Sequence, residues 1–316
     1  MMYELPGEER PQPSARLLDQ WVRDAEHLTG GVSKRIGWML ASSVVIAALQ
    51  RAFDSDQQPL FLVKGGLYLE LRLGLKARAT KDVDTLFRGG AAELERAVDA
   101  ILADPWEPFM FERTEFERIV NAPRLVKPYR FDVKLIVRGK TWRSIRVEVS
   151  FPEGRIGSMS EPVPAPPVEF FGVKSPDEIV GIAMDYQIAQ KSHAATDPNI
   201  PPDMVNDRVR DVIDLVLIKE NLYADNPTPA TLRDACVDVF NARAEEAKAL
   251  GVTPRFWPPT FVANAAWERA YPALAESVGM DYTLEEAITI AQSWIDAIEH
   301  YYRPPRQRRS GQSYSL

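Results

Sequence analysis

Cysteine is nearly absent from this chain: Cys236 is the only one in 316 residues. A single thiol forms no internal disulfide and no cysteine-based zinc cluster, which fits a reducing cytoplasm. Long apolar runs are lacking too. The most apolar stretch, Ile36 to Leu49, is too short to span a bilayer and contains Ser42 and Ser43, so it reads as a buried helix. Residues 1–10 are acidic and lack a basic segment ahead of an apolar run, so neither a secretory signal nor a membrane partner is expected. Bulk positive charge is also missing, the formal net charge being −7. Proteins that coat nucleic acid by general attraction are usually basic, so any such contact here rests on a local patch. What is present is 45% hydrophobic residues, enough to bury the core of one large domain or two modest ones.

Apolar spacing predicts helices over residues 14–27 and 33–53. Leu60 to Val63 is a short apolar run that stops at Lys64-Gly65-Gly66, a buried strand entering a turn, and leucines at helical spacing follow from Leu67 to Leu75. Asp82 to Phe87 alternates as a strand, and Ala91 to Leu102 is amphipathic. Tyr129 to Arg138 and Thr141 to Phe151 form a hairpin about Arg138-Gly139-Lys140. The Pro- and Gly-rich stretch from Glu153 to Ser175 carries no periodicity and reads as a linker. Helices are expected over 176–194, 207–220, 229–250 and 283–301. The expected division is a helical segment over 1–54, a core over 55–155, a linker over 156–175, a helical domain over 176–302 and a basic tail over 303–316.

Three features carry chemistry. Gly65 and Gly66, between a strand and a helix, allow close backbone approach, and the helix start offers free N–H groups suited to phosphate. A tight strand-to-helix turn with no ligand is the plain alternative. In Thr80-Lys81-Asp82-Val83-Asp84, alternation puts Asp82 and Asp84 on one strand face. Two carboxylates so placed repel each other unless a cation lies between them, and hard oxygen ligands suit magnesium. The plain alternative is a solvated strand end paired with Arg78 and Lys81. A third acid is sought on a neighbouring strand. Ile145, Val147 and Val149 take the core face of one hairpin strand, leaving Glu148 opposite as first candidate. Phe131, Val133 and Leu135 do the same in its partner, leaving Asp132 as second, with an ion pair to Arg146 or Lys134 as its alternative use.

These stretches resemble the nucleotidyltransferase superfamily of polymerase-β-like enzymes, and within it the AbiEii/AbiGii-type toxins, including the MenT type. Phe61 to Leu69, Arg78 to Asp84 and Ile145 to Val149 carry the likeness, with Gln187 to Ala194 and Asn206 to Leu215 in the helical half. Leu67 departs from the family, which often has Ser or Thr after Gly-Gly, and Thr80 is expected to supply the missing hydroxyl. Arg210-Asp211 stands where the family frequently has Lys-Asp. The resemblance implies that Lys191 reaches the nucleotide phosphates and that Asp211 orients the acceptor or Lys191. His193 and Asp214 are read as structural, and Asn206 as a helix cap.

The expected fold is therefore α+β, a polymerase-β-like core with a mixed sheet and a helical C-terminal domain closing over a nucleotide. The catalytic set is Asp82, Asp84, Glu148, Lys191 and Asp211. Asp82, Asp84 and Glu148 hold two Mg²⁺ ions, and Lys64, Gly65, Gly66, Thr80 and Lys191 hold the nucleotide. The reaction implied moves a nucleoside monophosphate from a triphosphate to RNA, at the tRNA 3′ end, in a toxin whose antitoxin is a separate protein. A small-molecule or protein acceptor, or a non-catalytic nucleotide-binding module, are the rival readings. The cations Arg124, Lys127, Arg130, Lys134, Arg138, Lys140, Arg143 and Arg146 form the expected RNA strip along the hairpin.

Overall fold

The computed structural model describes residues 13–28, 35–122, 124–198, 205–224 and 230–300. The expected basic tail and the extreme N-terminus lie outside them. In chain order the elements are α1 (Ala15–Leu28), α2 (Arg35–Leu49), β1 (Phe61–Val63), α3 (Gly65–Leu73), β2 (Asp82–Phe87), α4 (Leu94–Leu102), β3 (Met110–Arg113), β4 (Glu117–Arg118), β5 (Tyr129–Val137) and β6 (Lys140–Ser150). They continue with β7 (Ser160–Val163), β8 (Ile179–Ile182), α5 (Met184–Ala195), α6 (Val209–Leu222), α7 (Ala230–Ala249), α8 (Ala265–Ser277) and α9 (Leu284–His300).

One mixed sheet runs in the order β3-β5-β6-β2-β1-β8-β7, with β4 on the flank of β5. The pairs β2–β6 and β1–β8 are parallel, and the others are antiparallel. α2 is apolar all round and buried along almost its whole length, because it is packed between α1, α4 and the β6 side of the sheet. Phe131, Val133, Leu135, Ile145, Val147 and Val149 are buried on the core face of the hairpin, as alternation requires. Arg138 and Gly139 both have positive φ, which gives its two-residue turn the twist a hairpin needs. In the helical half α5 packs on α6 and α7, and α6 on α8 and α9.

Three segments differ from expectation. The supposed linker contains β7, and Ile156, Val163, Val168, Phe170 and Phe171 within it are buried. Its elements are too short to show a period, and Pro162 fits because β7 is an edge strand. The expected helix over 176–194 begins only at Met184, since residues 179–182 form β8 beside β1. A strand buried on both faces shows no alternation, so its apolar run merged with the helix after it. Gly181 is required there, because a Cβ would lie 2.5 Å from the Tyr68 ring. α8 was not anticipated: Pro272 interrupts its pattern, although Asn264 caps it by accepting the Ala266 N–H at 2.8 Å.

Candidate active site

The site forms where β1 turns into α3. Lys64 is extended and donates its N–H to the Asp84 carbonyl at 3.0 Å. Gly65 then takes φ +65°, and any Cβ there would run into the Asp84 carboxylate. At Gly66 a Cβ would lie 2.8 Å from Thr80 Oγ1. Both glycines are thus needed for close packing as well as for the turn, and they seat residues 80 and 84 directly against the start of α3.

β2 lies parallel to β6 with Asp84 opposite Glu148 and Asp82 opposite Arg146. β5 continues the rows, with Arg130 opposite Glu148 and Asp132 opposite Arg146. The three acids Asp82, Asp84 and Glu148 therefore share one face, partly exposed, above a fully buried layer that includes Val83, Val147 and Val149. Burial raises the Asp82 and Glu148 carboxyls above their usual range, and Asp84 adds repulsion to each. Cations ring the cluster: Arg146, Lys81 and Arg210 act on Asp82, and Lys64 and Arg130 on Glu148. Among the described residues no group of three or more His, Cys, Asp or Glu side chains is placed so that it could hold a metal ion. The donor set is nonetheless hard oxygen of like charge on one face, the chemistry a divalent cation requires.

Asp132 is occupied otherwise. Arg146 Nε donates to its Oδ1 at 3.2 Å, a cross-strand ion pair on the neighbouring row.

From the helical half comes a buried charge network. Lys191 Nζ donates to Asp211 Oδ1 at 2.9 Å and to Asp214 Oδ2 at 2.6 Å. Arg78 completes it through paired hydrogen bonds to Asp214, each 3.0 Å long. Burial alone would raise Asp214, but Lys191 and Arg78 outweigh it and hold the carboxyl below its usual range. The same Arg78 feels Asp84, so the network abuts the acid face. Lys191 is held by two carboxylates, which use two of its three donors, and the less buried Asp211 is oriented by it. Asn206 accepts the Arg208 N–H at 2.8 Å in the turn ahead of α6, but the cap position is Arg208 and carries no side-chain cap, so Asn206 is not the helix cap the sequence suggests.

The sequence reading missed two further groups. Gln187, one helical turn before Lys191, accepts the Gly65 N–H at 3.0 Å and ties α5 to the glycine turn. Its spacing from Lys191 was the available signal. Glu153, within the supposed linker, is buried and accepts from Arg243, Arg124 and Gln190. His193 beside it accepts from Arg243 at 3.0 Å and from Arg255 at 2.8 Å. Burial first, then those two cations, push its imidazole down to about 2.

Half of the expected RNA strip is engaged in ion pairs. Arg124 pairs with Glu153 and Glu246, Arg130 with Glu117, Arg143 with Asp19 and Arg146 with Asp132. Its far end is also distant: at about 3.3 Å per residue, Lys140 lies roughly 26 Å along β6 from Glu148.

A mixed sheet joined to a helical half, with a glycine turn set against strand carboxylates, defines an α+β nucleotidyltransferase. The chain belongs to the AbiEii family, nucleotidyl transferase toxins of type IV toxin–antitoxin systems, whose family model matches residues 47–298. Among solved structures it is similar to MenT4, a nucleotidyltransferase toxin of Mycobacterium tuberculosis H37Rv, at 17% identity over 91% of this chain and 97% of that one, with a TM-score of 0.43. It is also similar to JHP933 from Helicobacter pylori, at 14% identity over 83% and 90% of the two chains, with a TM-score of 0.41. A putative nucleotidyltransferase from H. pylori matches at 14% identity over 84% and 96%, with a TM-score of 0.40. No curated protein sequence matches the chain.

Proposed function

We propose that the protein transfers a nucleoside monophosphate from a nucleoside triphosphate to the 3′ hydroxyl of an RNA, the acceptor end of tRNA, with magnesium, and acts as the toxin beside a separate antitoxin. The observation that carries this is the register of Asp84 opposite Glu148 beside the Gly65 turn. Asp82, Asp84 and Glu148 are the residues that would hold magnesium. When bound, two such ions supply the positive charge that offsets the triphosphate and acidifies the attacking hydroxyl.

The chain's own residues do the rest. The free N–H groups at the start of α3, with Lys64 and the Thr80 hydroxyl, hold the phosphates. Lys191 contributes mainly by fixing Asp211, whose remaining oxygen orients the acceptor hydroxyl. Lys64, Lys81 and Arg210 face the acids and draw in a polyanion despite the negative net charge. Incubation with total tRNA, magnesium and each labelled triphosphate in turn tests the proposal. Label is expected at the tRNA 3′ end from at least one nucleotide; labelling of none, with activity on a small molecule or protein instead, would overturn the acceptor assignment.

A further inference from the structure

Gln187 is 2% exposed and lies on the face of α5 that meets the glycine turn. The Gly65 N–H can only donate, so its partner must be the amide oxygen, and this fixes the amide with its nitrogen pointing away. That nitrogen is sealed from solvent and has no acceptor among the described residues. Buried polar groups left in this way are few in folded proteins, and each calls for a reason. The Gly65 N–H is itself unusual. It opens α3, lies against Asp84 and belongs to the set of free donors that suits an anion. A phosphate oxygen and the Gln187 oxygen therefore compete for the same hydrogen.

We propose that Gln187 is an amide switch at the phosphate turn, holding Gly65 in the free protein and donating to phosphate in the nucleotide complex. The triphosphate oxygen takes the Gly65 N–H. The amide then draws back from Gly65 to make room for that oxygen and turns over about its terminal torsion, which is broad and roughly two-fold, so that its nitrogen faces the turn and its oxygen the interior. Nε2 comes to rest beside Gly65 and donates to the arriving phosphate. The oxygen takes the interior position, where an under-satisfied carbonyl is tolerated better than an N–H. Nothing is transferred or bonded covalently in this step. Gln187 is a positioning residue in the free protein and a phosphate ligand in the complex, and the helical half thereby senses whether the turn is filled. Glutamate could not serve, having no hydrogen to donate at neutral pH and a charge that repels phosphate.

This inference rests on the nucleotidyl-transfer reading. Its test is the binding of a non-hydrolysable triphosphate with magnesium, together with thermal stability, for wild type, Gln187→Glu and Gln187→Met. Gln187→Glu keeps an oxygen for Gly65 but buries a charge near Asp84, so it is expected to lower the melting temperature and to weaken nucleotide binding roughly tenfold to a hundredfold, the worth of one hydrogen bond to a charged group and more than Gln187→Met loses. In steady state the loss should appear in KM, with kcat little changed. Gln187→Met, which removes both donor and acceptor without adding charge, should weaken binding and lower the melting temperature. Binding by Gln187→Glu within twofold of wild type would overturn the switch, as would a loss of affinity no greater than that of Gln187→Met. Should wild type bind no non-hydrolysable analogue of ATP, GTP, CTP or UTP, the parent reading falls and the switch with it. Binding by wild type with an indifferent Gln187→Glu leaves the parent reading standing and removes only the switch.

Discussion

Gly65 is where residue-level constraint is tightest. Its positive φ and the carboxylate against its Cα both exclude a side chain, so Gly65→Ala is expected to lower stability and abolish transfer together. Thermal melting alongside the tRNA assay checks this, and an active, stable Ala variant would contradict the close seat of Asp84. The acids behave in the opposite sense. Asp82→Ala removes one of three repelling acids, so the melting temperature without magnesium should stay unchanged or rise while transfer is lost. His193 sets an acid limit on folding. Its folded-state value of about 2 lies below the ordinary 6.5, so the unfolded chain binds a proton that the folded one refuses. Stability therefore falls as pH drops below about 6.5 and continues to fall towards 2. The Glu153 carboxyl, also held low, adds its own loss only below its ordinary value of 4.5. In denaturant titrations between pH 7 and 5, His193→Gln should flatten the slope; an unchanged slope would place the acid sensitivity elsewhere.

At the scale of elements, the Arg78–Asp214–Lys191 network joins the segment before β2 to α5 and α6. Asp214 is fully buried, and its removal leaves two cations facing one remaining carboxylate. Asp214→Ala is expected to cost about 3–5 kcal/mol, the usual range for breaking a buried pair by removing one partner. A loss below about 1 kcal/mol by urea unfolding, the range of surface pairs, would show that the network is open to water. The elements that hold the site were legible because each leaves a strong local mark. β1 ends abruptly at two glycines, β2 begins with alternation, and the β5–β6 hairpin alternates along β5 and from Ile145 to Ser150 of β6 around a turn signal. β7, β8 and α8 were illegible for physical reasons already visible in them: four-residue strands, one of them buried on both faces, and a helix interrupted by proline. Glu148 was separable from Asp132 only as a preference, since both face the same way on adjacent strands. Cross-strand register, which sets Glu148 opposite Asp84, favours Glu148, and register is a property of the assembled sheet. Gln187 and Glu153 were missed because their partners lie far away in sequence.

For the whole molecule, the negative net charge and the proposed polyanionic acceptor are reconciled by where the cations stand. The hairpin strip is paired internally at Arg124, Arg130, Arg143 and Arg146, while Lys81, just ahead of β2, and Arg210, on α6, act on Asp82. Replacing Lys81 and Arg210 with Ala should flatten the salt dependence of tRNA binding by about two in slope, one for each phosphate no longer neutralised. Replacing Arg138, Lys140 and Arg143 should change it far less, and the reverse order would restore the hairpin as the RNA path. The central claim remains that Asp84 and Glu148, brought together by the β2–β6 register, form the reacting centre. The most direct measurement is label transfer to tRNA by wild type, Asp84→Asn, Glu148→Gln and Asp132→Asn under identical magnesium and nucleotide concentrations. Transfer should fall by two orders of magnitude or more, roughly the worth of a group stabilising developing charge, in the first two variants and by less than about tenfold in the third. Near-normal transfer by Asp84→Asn, or greater damage from Asp132→Asn than from Glu148→Gln, would contradict it.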